Sequence, residues 1–141
     1  MTRAPRKEPD IAARVRVVVA AALDRKAQDV RVLHLGAVTE FTEYFVICSG
    51  TNSRQVQAIA EAVQEGLRAH HDGDQTGSED GAEGGRRGVR PLAIEGLAHG
   101  QWALLDYGDF LVHVFDEERR AFYGLDKLWS DAPDVTSQLG G

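Results

Sequence analysis

The chain has 141 residues, of which 43% are hydrophobic and 27% charged, and its formal net charge is −6. This length suffices for one hydrophobic core and is too short for two ordinary domains, so we expect a single α/β domain. An acidic chain lacks the concentrated basic face that neutralises phosphates, which argues against generic nucleic-acid binding. One cysteine excludes an internal disulfide and fits a reducing cytoplasm, and no apolar run is long enough to span a bilayer.

The N-terminal part of the sequence predicts a basic tail followed by one helix. Residues 1–10 are polar and basic and hold two prolines, so we expect a disordered tail. Asp10 is placed to cap a helix whose apolar side chains recur at helical spacing and which is expected to end near Gln28. The basic residues of this helix are interpreted as solvated charges opposite its core-facing side.

Two strands and a second helix are expected next. Residues 29–35 and 43–49 are rich in β-branched, aliphatic and aromatic side chains, and Cys48 in the second run is expected to be a buried thiol. The small polar residues 49–53 then supply N-cap oxygens for a helix. The free amides of a helix N-terminus can bind an anion, but this turn has neither the spaced glycines nor the lysine of a phosphate loop.

A glycine-rich segment divides the sequence. Residues 72–88 read DGDQTGSEDGAEGGRRG and hold six of the fifteen glycines, with no large apolar side chain, which predicts a mobile loop. A short strand is expected over residues 89–94 after this loop.

A hairpin follows, with strands over residues 102–105 and 110–115 joined by Asp-Tyr-Gly-Asp, a composition typical of a tight reversal. We therefore predict five strands in a mixed sheet. A short helix over residues 116–123 and a frayed tail over residues 130–141 complete the expected fold.

The hairpin and its flanks carry acidic side chains and no basic side chain that would balance their charge. No Lys or Arg occurs from Pro91 to Glu118. Two interpretations stay open: each acid serves a turn or a helix start, or together they attract a basic protein. The acids in this stretch are Glu95, Asp106, Asp109, Asp116, Glu117 and Glu118.

No catalytic, cofactor-binding or metal-binding residue is predicted. His34, His99 and His113 have no spaced Cys, His or carboxylate companions and are interpreted as structural residues rather than metal ligands.

Three stretches resemble the ribosomal silencing factor family, also called Iojap-like proteins. They are YFVICSGTNSRQVQAIAEAV, the dipeptide Glu95-Gly96 ahead of Trp102, and LLDYGDFLVHVF continued through ERRAFYGLDKLW. The resemblance covers residues 11–129 and is interrupted by the glycine-rich segment. That segment and the basic tail depart from the family pattern, and we expect both to be inert. The alternative is that they contact ribosomal RNA through Arg3, Arg6, Lys7, Arg86 and Arg87.

The resemblance implies a cytoplasmic, homodimer-forming α/β protein with a nucleotidyltransferase-like mixed sheet and no catalytic activity. It implies docking on the large ribosomal subunit, through its protein numbered fourteen, and a steric block to joining of the small subunit that lowers translation when nutrients are scarce. Ribosomal proteins are generally basic, which agrees with the acidic stretch.

The expected partner-binding residues combine aromatic anchors with a charged rim. Because strand residues alternate faces, Trp102 shares one side with Asp106, and the sequence leaves open which side is buried. The residues predicted for this surface are Trp102, Asp106, Tyr107, Asp109, Phe115, Glu117 and Glu118.

Two other functions remain as alternatives. A metal-dependent nucleotidyltransferase needs clustered carboxylates to hold magnesium, and here only Asp106 and Asp109 lie close in sequence, without a third. A dimeric scaffold for another basic protein would keep the acidic surface and differ only in its partner.

Overall fold

A five-stranded mixed sheet forms the centre of the chain. The structure is a computed structural model and describes residues 10–71 and 88–141. The sheet has the strand order β1-β2-β5-β4-β3, with β2 and β5 parallel and the other neighbours antiparallel. This confirms the predicted mixed sheet. The elements are α1 (Ile11–Asp24), β1 (Gln28–His34), β2 (Tyr44–Gly50), α2 (Ser53–Ala69), β3 (Ala93–Glu95), β4 (Trp102–Asp106), β5 (Phe110–Asp116), α3 (Glu117–Tyr123) and α4 (Leu125–Leu128).

The main core lies between one face of the sheet and the helices α1 and α2. Both helices turn an apolar side inward, and the strands contribute alternate residues, as the period of two requires. Burying a large aliphatic side chain stabilises the fold by about 1.5–3 kcal/mol. Fully buried members of this core include Val15, Val18, Val46, Cys48, Val56, Ile59, Val63, Ala103, Leu105, Val112 and Val114.

A smaller cluster covers part of the opposite face. It contains Leu33, Phe45, Ile47 and Phe115 from the strands, and Trp129 from the chain after α4 packs against it. The short helices α3 and α4 lie on this side and contain no buried residue. Within residues 10–71 and 88–141, this face of the sheet is therefore only partly covered.

Side-chain caps set where the helices begin. Asp10 Oδ1 accepts a hydrogen bond from the Ala13 amide, which confirms Asp10 as the cap of α1. The helix ends at Asp24, earlier than the predicted Gln28, because Lys26 adopts a left-handed φ of 63° and turns the chain into β1. Strand β3 spans Ala93–Glu95 and is shorter than the predicted strand over residues 89–94.

The expectation of a frayed tail over residues 130–141 is wrong. The His34 amide donates to the Pro133 carbonyl, and the Val135 amide donates to Val32, so the tail pairs with the outer edge of β1. The side chain of Leu139 is buried against the main core. Edge pairing uses backbone groups, which leave little trace in a small, polar sequence.

Two sequence predictions fall outside the described residues. The basic tail over residues 1–9 and nearly all of the predicted loop, residues 72–87, belong to this part of the chain. Within the described ranges, no helix combines the length and the apolar character needed to cross a membrane.

Candidate partner-binding surface

The hairpin of β4 and β5 decides which side chains can meet a partner. Ala103 and Leu105 are fully buried beneath the helices, whereas Trp102, Leu104 and Asp106 point to the opposite side and are partly exposed. The face that the sequence left open is thus assigned: Trp102 and Asp106 lie on the partly covered side of the sheet.

Aromatic rings and one hydrogen bond hold Trp102 in place. Its ring stacks on Phe115 at a centroid distance of 4.9 Å and lies 4.6 Å from the ring of Tyr123. Its indole Nε1 donates a hydrogen bond to Nδ1 of His113 over 3.2 Å. Tyr123 belongs to α3, so these contacts also join that helix to the hairpin.

Apolar side chains remain exposed around Trp102. Phe122 is 79% exposed, and its ring adjoins that of Tyr123, with centroids 5.0 Å apart. Leu104 and Leu111 add partly exposed aliphatic surface from β4 and β5. We call the surface formed by Trp102, Leu104, Leu111, Phe122 and Tyr123 the open face. An exposed apolar surface of this kind is typical of an interaction site.

Some acids of the hairpin accept hydrogen bonds from nearby backbone amides, and the others are exposed. Asp106 accepts a hydrogen bond from the Gly108 amide at 2.8 Å, and Asp116 caps α3 by accepting from the Arg119 amide at 2.8 Å. These two acids have the structural roles that turn and cap chemistry gives them. Asp109 and Glu117 are exposed, so their charges are available to a partner; Glu118 is also exposed and accepts a hydrogen bond from Arg119 Nη1 over 3.4 Å.

Two predicted partner-binding residues are buried within the chain itself. Tyr107 is 6% exposed and packs in the main core, where its ring stacks on Phe110, and burial raises its pKa to about 12. Phe115 is fully buried beneath Trp102. The prediction that Tyr107 and Phe115 contact a partner is corrected accordingly: both support the surface from within.

A partly buried ion pair fixes α3 against α4 and β2. The guanidinium of Arg120 donates to both carboxylate oxygens of Asp126, over 3.1 and 2.9 Å, and to Ser49 Oγ over 2.8 Å. Burial disfavours ionisation of Asp126, but the hydrogen bonds and charge of Arg120 outweigh it and hold the pKa of Asp126 below its usual value. This pair therefore positions the helix that carries Phe122 and Tyr123.

Arg120→Ala is expected to lower the free energy of unfolding by about 2 kcal/mol, because it leaves a partly buried carboxylate without its partner. Urea denaturation at pH 7 measures the change. Arg119→Ala is the matched control: Arg119 pairs with Glu118, which is 89% exposed, at 3.4 Å and more distantly with Asp116 at 3.9 Å, and pairs of this kind contribute little. Equal stability losses in the two variants would contradict this role of Arg120.

The turn between β2 and α2 uses its own polar groups. The Thr51 amide donates to Gln55 Oε1, the Gln55 amide donates to Asn52 Oδ1, and Ser49 Oγ is bonded to Arg120. Across residues 10–71 and 88–141, no group of three His, Cys, Asp or Glu side chains lies close enough to hold a metal ion.

Comparison with known proteins identifies the family. The model of the family described as ribosomal silencing factor during starvation matches residues 8–140. The chain belongs to the ribosomal silencing factor family. The match includes the C-terminal segment that pairs with β1, beyond the range over which the sequence motifs show the resemblance.

Individual silencing factors align along most of their length. The Ribosomal silencing factor RsfS of Bacillus subtilis is 32% identical over 126 residues, which cover 89% of this chain and 92% of that protein. The one of Halalkalibacterium halodurans is 36% identical over 121 residues, covering 86% and 89%. A crystal structure of a Chromobacterium violaceum protein superposes with a TM-score of 0.69 at 28% identity and covers 86% of this chain and 87% of that one. The fold of this silencing factor thus matches that of a solved structure.

Sequence reasoning missed two residues of this silencing factor's surface. Phe122 and Tyr123 are adjacent in a short helix, and neighbouring helical side chains point about 100° apart, so both cannot face one core. That spacing was the available signal for an exposed aromatic ring. His113 carried no signal, because its hydrogen bond to Trp102 depends on the pairing of β4 with β5.

Proposed function

We propose that this silencing factor binds the large ribosomal subunit through the ribosomal protein numbered fourteen and thereby blocks joining of the small subunit. One observation carries the proposal: the open face presents exposed aromatic and aliphatic side chains beside exposed acids. No Lys or Arg occurs from Pro91 to Glu118, and Arg119, which lines the cleft beside Trp102 and Tyr123, pairs with Asp116 and Glu118. The partner of such a surface is basic, as ribosomal proteins generally are.

The two kinds of side chain have different parts in binding. Desolvated aromatic anchors supply most of the affinity of an interface, which assigns that part to Trp102 and Phe122. Exposed acids steer the partner and are screened by salt beyond about 10 Å at 0.1 M ionic strength. Asp109, Glu117 and Glu118 form this charged rim, and Asp106 adds charge while shaping the turn.

The proposal includes a homodimer that acts in the cytoplasm and represses translation under starvation. The family description, ribosomal silencing factor during starvation, supports the last of these points. The blocking step is steric and involves no catalysis and no cofactor. A protein bound at the docking site on the large subunit excludes the small subunit, because the two cannot occupy the same space.

Charge reversal tests the proposed surface. Asp109→Lys combined with Glu117→Lys is expected to weaken binding to isolated large subunits by about 10-fold at low salt, since rim charges mainly act through steering. Co-sedimentation with purified large and small subunits at two salt concentrations measures binding. We expect the unmodified protein to sediment with the large subunit alone.

Asp24→Lys supplies the control, because Asp24 is exposed at the end of α1, on the far side of the sheet. It changes the net charge in the same direction without touching the open face. Equal losses for the control and the double variant would contradict the placement of the site. Absence of association at either salt would contradict the ribosomal partner and favour a scaffold for another basic protein.

A further inference from the structure

The hydrogen bond between Trp102 and His113 determines the protonation state of the histidine. An indole N–H is a donor only, so Nδ1 of His113 must offer a lone pair to accept it. The proton of the neutral ring therefore lies on Nε2. A doubly protonated imidazole would have no acceptor for Trp102.

The remaining ring nitrogen of His113 is costly to the fold. His113 is 4% exposed, and its Nε2 has no hydrogen-bond partner among the described residues. The ring is enclosed by aromatic side chains, with Phe45 at a centroid distance of 4.5 Å and Trp102 at 6.0 Å. An apolar side chain of similar volume would avoid a buried donor without a partner. The contribution of the histidine beyond packing therefore comes from its hydrogen bond to Trp102.

That contribution is the orientation of the Trp102 ring. Rotation of an aromatic ring about its Cβ–Cγ bond has broad minima. Stacking on Phe115 and Tyr123 restrains the plane of the ring, and the bond to His113 fixes where the Nε1 edge lies within that plane. A side chain fixed before binding loses less conformational entropy when a partner covers it.

We propose that His113 is the positioning residue of the open face: its Nδ1 holds the Trp102 indole in the orientation that the partner meets. This inference rests on the proposed function, because the open face is the surface assigned to the ribosome. His113 is buried and acts through Trp102, without touching the partner.

Two substitutions at His113 separate hydrogen bonding from packing. In His113→Asn, the amide oxygen can take the place of Nδ1 and accept from the indole, whereas His113→Leu has no acceptor. Asn and Leu have the same branched arrangement of four heavy side-chain atoms and no aromatic ring, so both variants lose the ring contacts of the histidine. We expect His113→Leu to weaken binding to the large subunit by about 5- to 10-fold, the value of one hydrogen bond, and His113→Asn to bind within about 2-fold of the unmodified protein.

A Trp102→Phe background removes the indole donor and completes the cycle. In that background we expect the two His113 variants to bind the large subunit alike, because the indole donor of the hydrogen bond is absent from both. Either of two results would overturn the inference: His113→Asn as weak as His113→Leu, or His113→Leu as tight as the unmodified protein.

Fluorescence tests the positioning role without a ribosome. In a Trp129→Phe background, emission reports Trp102 alone, since the chain has two tryptophans. We expect stronger acrylamide quenching in His113→Leu than in His113→Asn, with the latter close to the unmodified protein. If the unmodified protein does not bind the large subunit, the proposed function fails, whereas equal quenching in both variants overturns the positioning role whether or not the protein binds.

Discussion

Phe122→Asp is expected to weaken binding to the large ribosomal subunit by about 30-fold or more, the loss typical of an aromatic anchor at the centre of an interface. Phe122 is 79% exposed and makes its ring contact with Tyr123, so its loss leaves the core of the chain intact. The aspartate also places a new charge where an apolar surface would be desolvated. Co-sedimentation with large subunits over a range of concentrations measures the affinity.

Leu23→Asp is the control for this substitution. Leu23 is an exposed aliphatic residue on α1, across the sheet from the open face. Its replacement is expected to leave binding unchanged, and thermal unfolding verifies that both variants remain folded. Comparable binding by Phe122→Asp and the unmodified protein would remove α3 from the interface.

Acid is expected to destabilise the fold through His113 by up to about 3 kcal/mol between pH 7 and pH 4, since each unit of pKa difference corresponds to about 1.4 kcal/mol. Burial lowers the pKa of His113 from 6.5 to about 4. In the unfolded chain the imidazole takes up a proton below pH 6.5, while the folded chain keeps it neutral. The stability it contributes is therefore complete above pH 6.5 and is lost as the pH falls towards 4.

His113→Asn isolates this effect, because its side chain does not titrate. Urea denaturation at several pH values between 7 and 4 should show a smaller decline for the variant than for the unmodified protein. The carboxylates titrate in both proteins, so only the difference between the two curves reports His113. Parallel curves would contradict a neutral, buried His113.

The regular elements followed from the sequence because their patterns are strong. The apolar stripe of α2 and the runs that became β2 and β5 each bury residues at the period of their element. These runs, with the tight turn between β4 and β5, led to the five-stranded mixed sheet. The end of α1 was misplaced because a positive φ at Lys26, a residue without a turn signature, ended the helix.

The candidate surface was harder to predict because it depends on tertiary contacts. Alternation along β4 grouped Trp102 with Asp106, but only the packing of α1 and α2 determined which side was covered. Tyr107 and Phe115 have the composition of interface anchors, yet Tyr107 falls on the helix side and Phe115 lies beneath Trp102. The burial of Tyr107 and Phe115 depends on tertiary packing, which the local sequence does not specify.

A subunit-joining assay tests the central claim most directly. Purified small and large subunits are mixed with and without the protein, and light scattering follows the formation of complete ribosomes. We predict that the unmodified protein suppresses joining in proportion to its occupancy of the large subunit, and that Phe122→Asp at the same concentration does not. Joining at an undiminished rate and extent, while the protein is bound to the large subunit, would contradict the steric block.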